Sequence, residues 1–412
     1  MRGEDGDAVD TSEPVPSEEG ALRAAPPHAL VATAGRLLAE RFGARDVTLL
    51  LADYGLTVLQ PVTRLPYTGD PVSAQDGAAG TAFTTQNPVV EVTADPATQL
   101  VHLPITVRGD RLGVLTVRMP DTAVDPGTVL RLGDFATALG HEVVTAGRET
   151  DLYLQARRTR RLTLAAEMQW QLLPGRGCAR DEYVIGAHLE PAYAIGGDNF
   201  DWSTSADHLT LTVTDGMGRG IEASLLTSLA VGALRNARRA GLDLADQACL
   251  ADQALYSQYG GKVYASTLLL RFDLATGMVR AVDAGSPRLY RQRGTTVERV
   301  ELDPQMPLGM FEDTLYEEQT FQVRSGDRLV VLSSGVHSTR SAAGEEFGEA
   351  VLRQILGATR RSTPHETARS VVAALIEHVG TEDLVSDAAV VCLDWRGRDA
   401  ETKSRPGPRP NG

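Results

Sequence analysis

Two acidic motifs on either side of one short apolar strand constrain this chain more than any other feature. The first is AIGGDNFDW at residues 194–202, in which two glycines precede Asp198 and Asp201. The second is Asp215, which closes LTLTVTD at 209–215 and is followed at once by Gly216-Met217-Gly218-Arg219-Gly220. Between them Leu209, Leu211 and Val213 alternate with threonines, the period of a half-buried strand. Ile221, Leu225, Leu226, Leu229 and Leu234 then give the buried side of a long helix. Carboxylates at the ends of neighbouring strands suit hard divalent cations, and glycine beside Asp215 lets its own carbonyl approach such an ion. A cation held there lowers the pKa of a bound water and neutralises phosphate oxygens. The pattern points to phosphoryl hydrolysis with no covalent enzyme intermediate. Each motif alone also fits a structural turn; the strand that joins them is what makes a site of the pair.

Sharper rivals fail on particular residues. GMGRG is not a dinucleotide fingerprint, because Ile221 stands where the last glycine belongs, and it lacks the lysine of a P-loop. GGDNFD is similar to the GGDEF signature of diguanylate cyclases, but residues 150–190 offer no matching acidic helix-and-strand segment. A net charge of -14 opposes binding to a polyanion, so no nucleic-acid partner is expected. The local exception is Arg157, Arg158, Arg160 and Arg161, which reads as a solvated helix face. Cys178, Cys249 and Cys392 are too scattered for a disulfide framework or a zinc site. With no apolar run long enough to span a bilayer and no signal segment, a cytoplasmic protein with no membrane partner is expected.

The chain of 412 residues has room for two domains. Residues 1–26 and 396–412 are rich in charged, Pro, Ser and Gly residues and are expected to be disordered. Residues 27–148 read as helix, strands, helix. HALVATAGRLLAERFG has helical spacing, VTLLLAD and LTVLQPV look like neighbouring strands, and LVHLPITVRGDRLGVLTVRM looks like a hairpin pair. This order, with GAAGTAF followed by NPVV, resembles the GAF family of small sensor domains, which implies an unknown small ligand. Residues 149–174 are expected to form a charged linker helix, either a plain spacer or a dimerising relay, ended by Pro174 and Gly175. A homodimer follows from the second alternative.

Residues from about 162 to 395, with the domain itself at 175–395 and AEMQWQLLP as its opening helix, resemble the SpoIIE/RsbU-like branch of PPM-type metal-dependent serine/threonine protein phosphatases. The resemblance rests on GGDNFD, TDGMGRGIEASLL, YASTLLLRFDLATGMVRAVDAGSPRLY, MPLGM with FQVRSGDRLVVLSSG, EEFGEAVLRQIL and SDAAVVCL. It implies an α+β fold, an α-β-β-α sandwich of two antiparallel sheets with metals in the cleft between them. It also implies that Asp198, Asp215 and the Gly216 carbonyl hold one Mg or Mn ion, with Asp201 supporting that site, and that Asp198 and Asp215 are catalytic. The substrate it implies is a phosphorylated antagonist of an anti-sigma factor, or a similar regulatory protein.

The second half departs from that pattern. Ser334 replaces the aspartate of the Thr-Asp-Gly motif, and Ser286 the histidine of Ala-Gly-His. In the register that keeps the last strand aligned, Ser386 takes a metal-ligand position. A one-residue slip would instead put Asp387 in the cleft, and Asp383 or Glu382 are further substitutes. Hydroxyls are weak, neutral ligands for Mg or Mn, so the second ion is expected to bind poorly. The alternatives are a GAF-gated phosphatase of weak activity and an inactive pseudophosphatase that binds a regulatory partner. In a third reading the GAF-like half is the working part.

Overall fold

The computed structural model describes residues 17–62, 70–158, 163–191, 196–285, 287–341, 343–380 and 384–398. The expected disorder at 1–16 and 399–412, and Arg160, Arg161, Ser286, Glu382 and Asp383, lie outside these residues. The chain divides into two compact units, Met1–Val107 with Arg111–Thr159, and Arg160–Gly412 with Arg108–Asp110.

The first unit runs α1 (Glu18–Ala24), α2 (Leu30–Phe42), β1 (Asp46–Ala52), β2 (Val58–Pro61), β3 (Val72–Ser73), α3 (Gly77–Thr85), β4 (Val89–Val92), β5 (Thr98–Val107), β6 (Asp110–Pro120), α4 (Pro126–Ala146) and α5 (Leu152–Ala156). Its six strands form one sheet in the order β3-β2-β1-β6-β5-β4. Leu49, Leu51, Leu115 and Val117 face α1, α2 and α4 in one core, while Leu50, Ala52 and Val114 meet Ala82 and Phe83 of α3 on the other side. The expected order of helix, strands and helix is therefore present. Two expectations need correction. Residues 18–24 are helical, because Ser17 caps α1 and Leu22 is buried. Residues 149–173 are not one helix: α5 stops at Ala156, and Thr163 starts a separate helix by accepting a hydrogen bond from the Ala166 N–H at 3.2 Å.

The second unit runs α6 (Leu164–Leu172), β7 (Gly177–Ala179), β8 (Tyr183–Glu190), β9 (Gly197–Thr204), β10 (His208–Gly216), α7 (Gly220–Arg239), α8 (Leu244–Tyr259), β11 (Ala265–Asp273), β12 (Met278–Ala284), β13 (Arg288–Arg293), β14 (Thr296–Arg299), β15 (Gln319–Gln322), β16 (Arg328–Leu332), α9 (Ser334–His337), α10 (Glu349–Ala358), α11 (Pro364–Val379) and β17 (Ala388–Trp395). Two antiparallel sheets result, ordered β15-β12-β11-β10-β9 and β14-β13-β16-β17-β8-β7. Helices α7 and α8 pack on the outer face of the first, α10 and α11 on the outer face of the second. The inner faces meet, as where Phe272 stacks on Trp395 at 5.7 Å. This is the α-β-β-α sandwich expected from the sequence.

Strand β10 differs from the half-buried strand its alternation suggests. Leu209, Leu211 and Val213 face the second sheet, but Thr210, Thr212 and Thr214 on the other face are buried too, at 1–3 % exposure, under α7 and α8. Threonine tolerates that position because it is β-branched and its hydroxyl can bond locally, as Thr267 does to Thr214 at 3.2 Å. Among the described residues no helix is long and apolar enough to cross a membrane.

Candidate active site

Strand register puts the two acidic motifs side by side. Asp198 on β9 is the direct cross-strand partner of Asp215 on β10, with Gly197 opposite Gly216 one step further along. Both carboxylates leave the inner face of the sheet, the face that carries Leu211 and Val213. Like charges directly opposite one another repel, so this pairing is a standing cost unless a cation or a proton is shared.

The second sheet supplies the rest. β17 sends Ala388, Val390 and Cys392 outward against α10 and α11, so the alternate residues, ending in Trp395, face the first sheet. By that alternation Asp387 points inward and Ser386 outward. Accordingly Asp387 is 1 % exposed, and Ser386 is on the surface. The expectation that Ser386 takes the ligand position is corrected: the slipped register is the one observed.

Asp198 is 4 % exposed, and its Oδ2 is buried without a hydrogen-bond partner. Burial first, then Asp215 and then Asp387, push its carboxyl well above the usual carboxylate range, while a bond from the Ser333 hydroxyl pulls weakly the other way. Asp215 is partly exposed, and its Oδ2 accepts from the backbone N–H of Ser334 at 3.1 Å. Ser334 therefore stands beside Asp215, as its motif position implies, contributing a backbone donor to it. Asp387 accepts from the Gly196 N–H at 2.9 Å and from Gln169 Nε2 at 2.5 Å. Two glycines make this closeness possible. A Cβ on Gly335 would lie 1.7 Å from the Asp387 carbonyl, and one on Gly196 would lie 3.1 Å from its carboxylate.

Asp201 does not join the group. Three positions beyond Asp198 on a strand, it faces the opposite side, and Arg235 and Arg238 hold its two oxygens at 2.7 and 3.0 Å. Its role there is to tie α7 to the sheet. The Gly216 backbone lies at the end of β10, packed so closely under α7 that a Cβ would sit 2.6 Å from Thr227 Oγ1. Among the described residues no three His, Cys, Asp or Glu side chains close on one point as a ready metal cage. The donor set nevertheless suits a hard cation: oxygen ligands, an excess of negative charge, and one buried oxygen with nothing to bond.

Gln169 was not singled out by sequence reasoning. It lies on the buried side of α6 with Ala165, Ala166 and Trp170, and its amide donates both to Asp387 and, at 2.9 Å, to the Asp198 carbonyl. An amide on the apolar stripe of a helix is the available signal, since a buried amide needs partners. Replacing Gln169 by Leu removes one donor from each of these two acceptors and should destabilise the unit by about 1–3 kcal/mol in chemical denaturation. An unchanged midpoint would show that the contact contributes nothing. Ser333 also went unnoticed; its Oγ accepts from the Ala389 N–H at 3.0 Å, which joins β16 to β17 beside Asp198.

Residues 205–396 match the family model described as Stage II sporulation protein E. This segment is similar to the SpoIIE family. The chain is 23% identical over 182 residues to the phosphoserine phosphatase RsbP of Bacillus subtilis, covering 43% of this chain and 45% of that protein. It is 21% identical over 185 residues to the phosphoserine phosphatase RsbU of the same organism, covering 44% and 55%. The chain thus spans about half the length of these curated relatives. Among solved structures, the SiaA-PP2C domain of Pseudomonas aeruginosa matches with a TM-score of 0.46 and 22% identity, covering 52% of this chain and 86% of that one. The matched segment contains Asp215, Ser334 and Asp387, and Asp198 lies just ahead of it.

Proposed function

We propose that the SpoIIE-like domain is a divalent-metal-dependent protein phosphatase of slow turnover. Its substrate class is phosphoserine or phosphothreonine on a regulatory protein of the anti-sigma antagonist kind, the class suggested by the phosphoserine phosphatases it is similar to. The observation that carries the reading is the Asp198 carboxylate, buried beside Asp215 and Asp387 with one oxygen unpartnered. Asp198, Asp215 and the Gly216 carbonyl are the groups assigned to one Mg or Mn ion, and Asp387 is the carboxylate nearest to completing the set. When bound, the ion supplies an activated water and neutralises phosphate oxygens. The protein's own residues orient that assembly: Ser334 N–H and Ser333 Oγ–H fix the Asp215 and Asp198 carboxylates, while Gln169 and Gly196 fix Asp387. The N-terminal unit is assigned as a GAF-like sensor of a small ligand that gates turnover. Running the full-chain assay with cyclic nucleotides tests that assignment for one ligand class, a change in rate supporting it.

A specific observation favours the pseudophosphatase as the second reading. The residue beside Asp215 is Ser334, which donates its backbone N–H to that carboxylate where a second ion would need another carboxylate. Phosphate release from a phosphoserine protein across a wide Mn range separates the two. Under the first reading, wild type turns over slowly and Ser334→Asp raises the rate at limiting Mn by about tenfold or more. No release by folded wild type at any Mn level, with release gained in Ser334→Asp, supports the second.

A further inference from the structure

The outer face of the first sheet holds a second polar cavity, remote from the carboxylates. Its floor is the far end of β9–β11, where Ser203, Thr210 and Arg271 stand in one cross-strand row. Its roof is the turn from α7 into α8, which contributes Arg238, Arg239 and Gln247. The enclosed volume is about 200 Å³. His208 at the start of β10 borders it, and Asp215 is at the other end of the strand. At about 3.3 Å per residue those ends are about 23 Å apart.

The charge here runs against the chain's net -14. Arg239 and Arg271 form no ion pair with a carboxylate among the described residues, although Arg271 lies 3.5 Å from His208 Nδ1 and helps hold Asp207 ionised, and Arg238 shares Asp201 with Arg235. The nearest carboxylates are already engaged. Asp207 is exposed and bonds His208 Nδ1 at 2.7 Å, Asp243 caps α8 through the Asp246 N–H, and Glu318 takes the Leu244 N–H and Arg280. The hydroxyls of Ser203, Ser205 and Thr210 make no side-chain hydrogen bond among the described residues.

Gln247 is an independent pointer. It is 2 % exposed, and its Nε2 donates to the Leu242 carbonyl at 2.8 Å, which fixes the amide orientation. Its Oε1 is buried with no partner. A buried acceptor beside hydroxyls and two guanidiniums that form no ion pair with a carboxylate matches a ligand that is an oxyanion carrying a hydrogen-bond donor.

We propose that this cavity binds a phosphate group, with Arg239 and Arg271 taking its charged oxygens and Gln247 Oε1 accepting from a protonated oxygen or an adjacent hydroxyl. The inference does not depend on the phosphatase reading. Hydrogenphosphate and a small phosphomonoester share this chemistry, and the cavity is too small for a large ligand.

The test is calorimetric titration of the full chain in EDTA, in an Asp198→Asn background that removes phosphate binding through a metal at the carboxylate cleft. Inorganic phosphate and glycerol 3-phosphate are the probes. Saturable binding of either, weakened about tenfold or more by Arg271→Gln and by Arg239→Gln, is the expected result. Tighter binding of the ester, lost in Gln247→Leu, identifies an esterified ligand; equal binding identifies free phosphate. Arg239 is exposed, so its substitution leaves the fold intact if Arg271→Gln does not. Absence of saturation by either probe below about 10 mM, or binding unchanged in the Arg239→Gln protein, overturns the proposal.

Discussion

Asp215→Asn will abolish Mn-dependent phosphate release, lowering the rate by on the order of 10³-fold or more, equivalent to about 4 kcal/mol of transition-state stabilisation. Asp215 is the carboxylate of the group that is open to solvent, and it stands directly across from Asp198. The change to an amide keeps the shape and the bond from the Ser334 N–H through Oδ1, but removes the charge that retains the cation. Loss of activity should therefore come with loss of Mn binding, measured by calorimetry on the same sample, in protein at least as stable as wild type in EDTA, because the Asp198–Asp215 repulsion is removed as well. If Asp215→Asn retains turnover, the phosphatase reading of this cleft fails. If it loses turnover but binds Mn as wild type does, Asp215 acts on the substrate and not on the ion.

What could be read in the sequence divides along a physical line. The first sheet was legible because β10 alternates and ends in Asp-Gly, and because a long periodic helix follows it. The antiparallel pairing that sets Asp198 against Asp215 follows from the short connection between β9 and β10. The position of Asp387 was not legible. β17 is buried on both faces, so AAVVCL is apolar throughout and carries no period from which to tell inside from outside. Only the packing of Val390 and Cys392 on α11, and of Trp395 on Phe272, fixes the parity. Asp201 failed for the converse reason: its motif neighbour Asp198 suggested a shared role, while strand alternation sends the two to opposite faces. The break between α5 and α6 was hidden because charged residues of good helix propensity run through the sequence there, and the local signal is Thr163, which caps the start of α6. Gln169 had no motif at all; it matters because of two acceptors distant in sequence.

The buried carboxylates make a second, opposite prediction for stability. In metal-free protein Asp198→Asn should be more stable than wild type, by about 1–3 kcal/mol near neutral pH, the range of an unsatisfied buried polar group. The wild-type carboxyl is held well above its usual range by burial and by Asp215 and Asp387. The folded state thus keeps its proton where the unfolded chain, near the ordinary value of 3.8, has lost it. That preference helps the fold fully below the unfolded value and is lost as pH rises through the folded one. The amide titrates nowhere, and its Nδ2 can donate to Asp215 where the carboxylate repels it. The gap between variant and wild type should therefore be small at pH 4 and widen toward pH 8. Saturating Mn should reverse the order by stabilising wild type alone, through mass action on the folded state. Denaturation in EDTA at several pH values, repeated with Mn, reads all of this. A variant less stable than wild type in EDTA at pH 8 would mean that the cluster is already neutralised from within. The unpartnered Asp198 oxygen would then be no sign of a cation site. A stabilised variant that has lost Mn binding would identify the instability as the cost of burying an acid at that site in the absence of the cation.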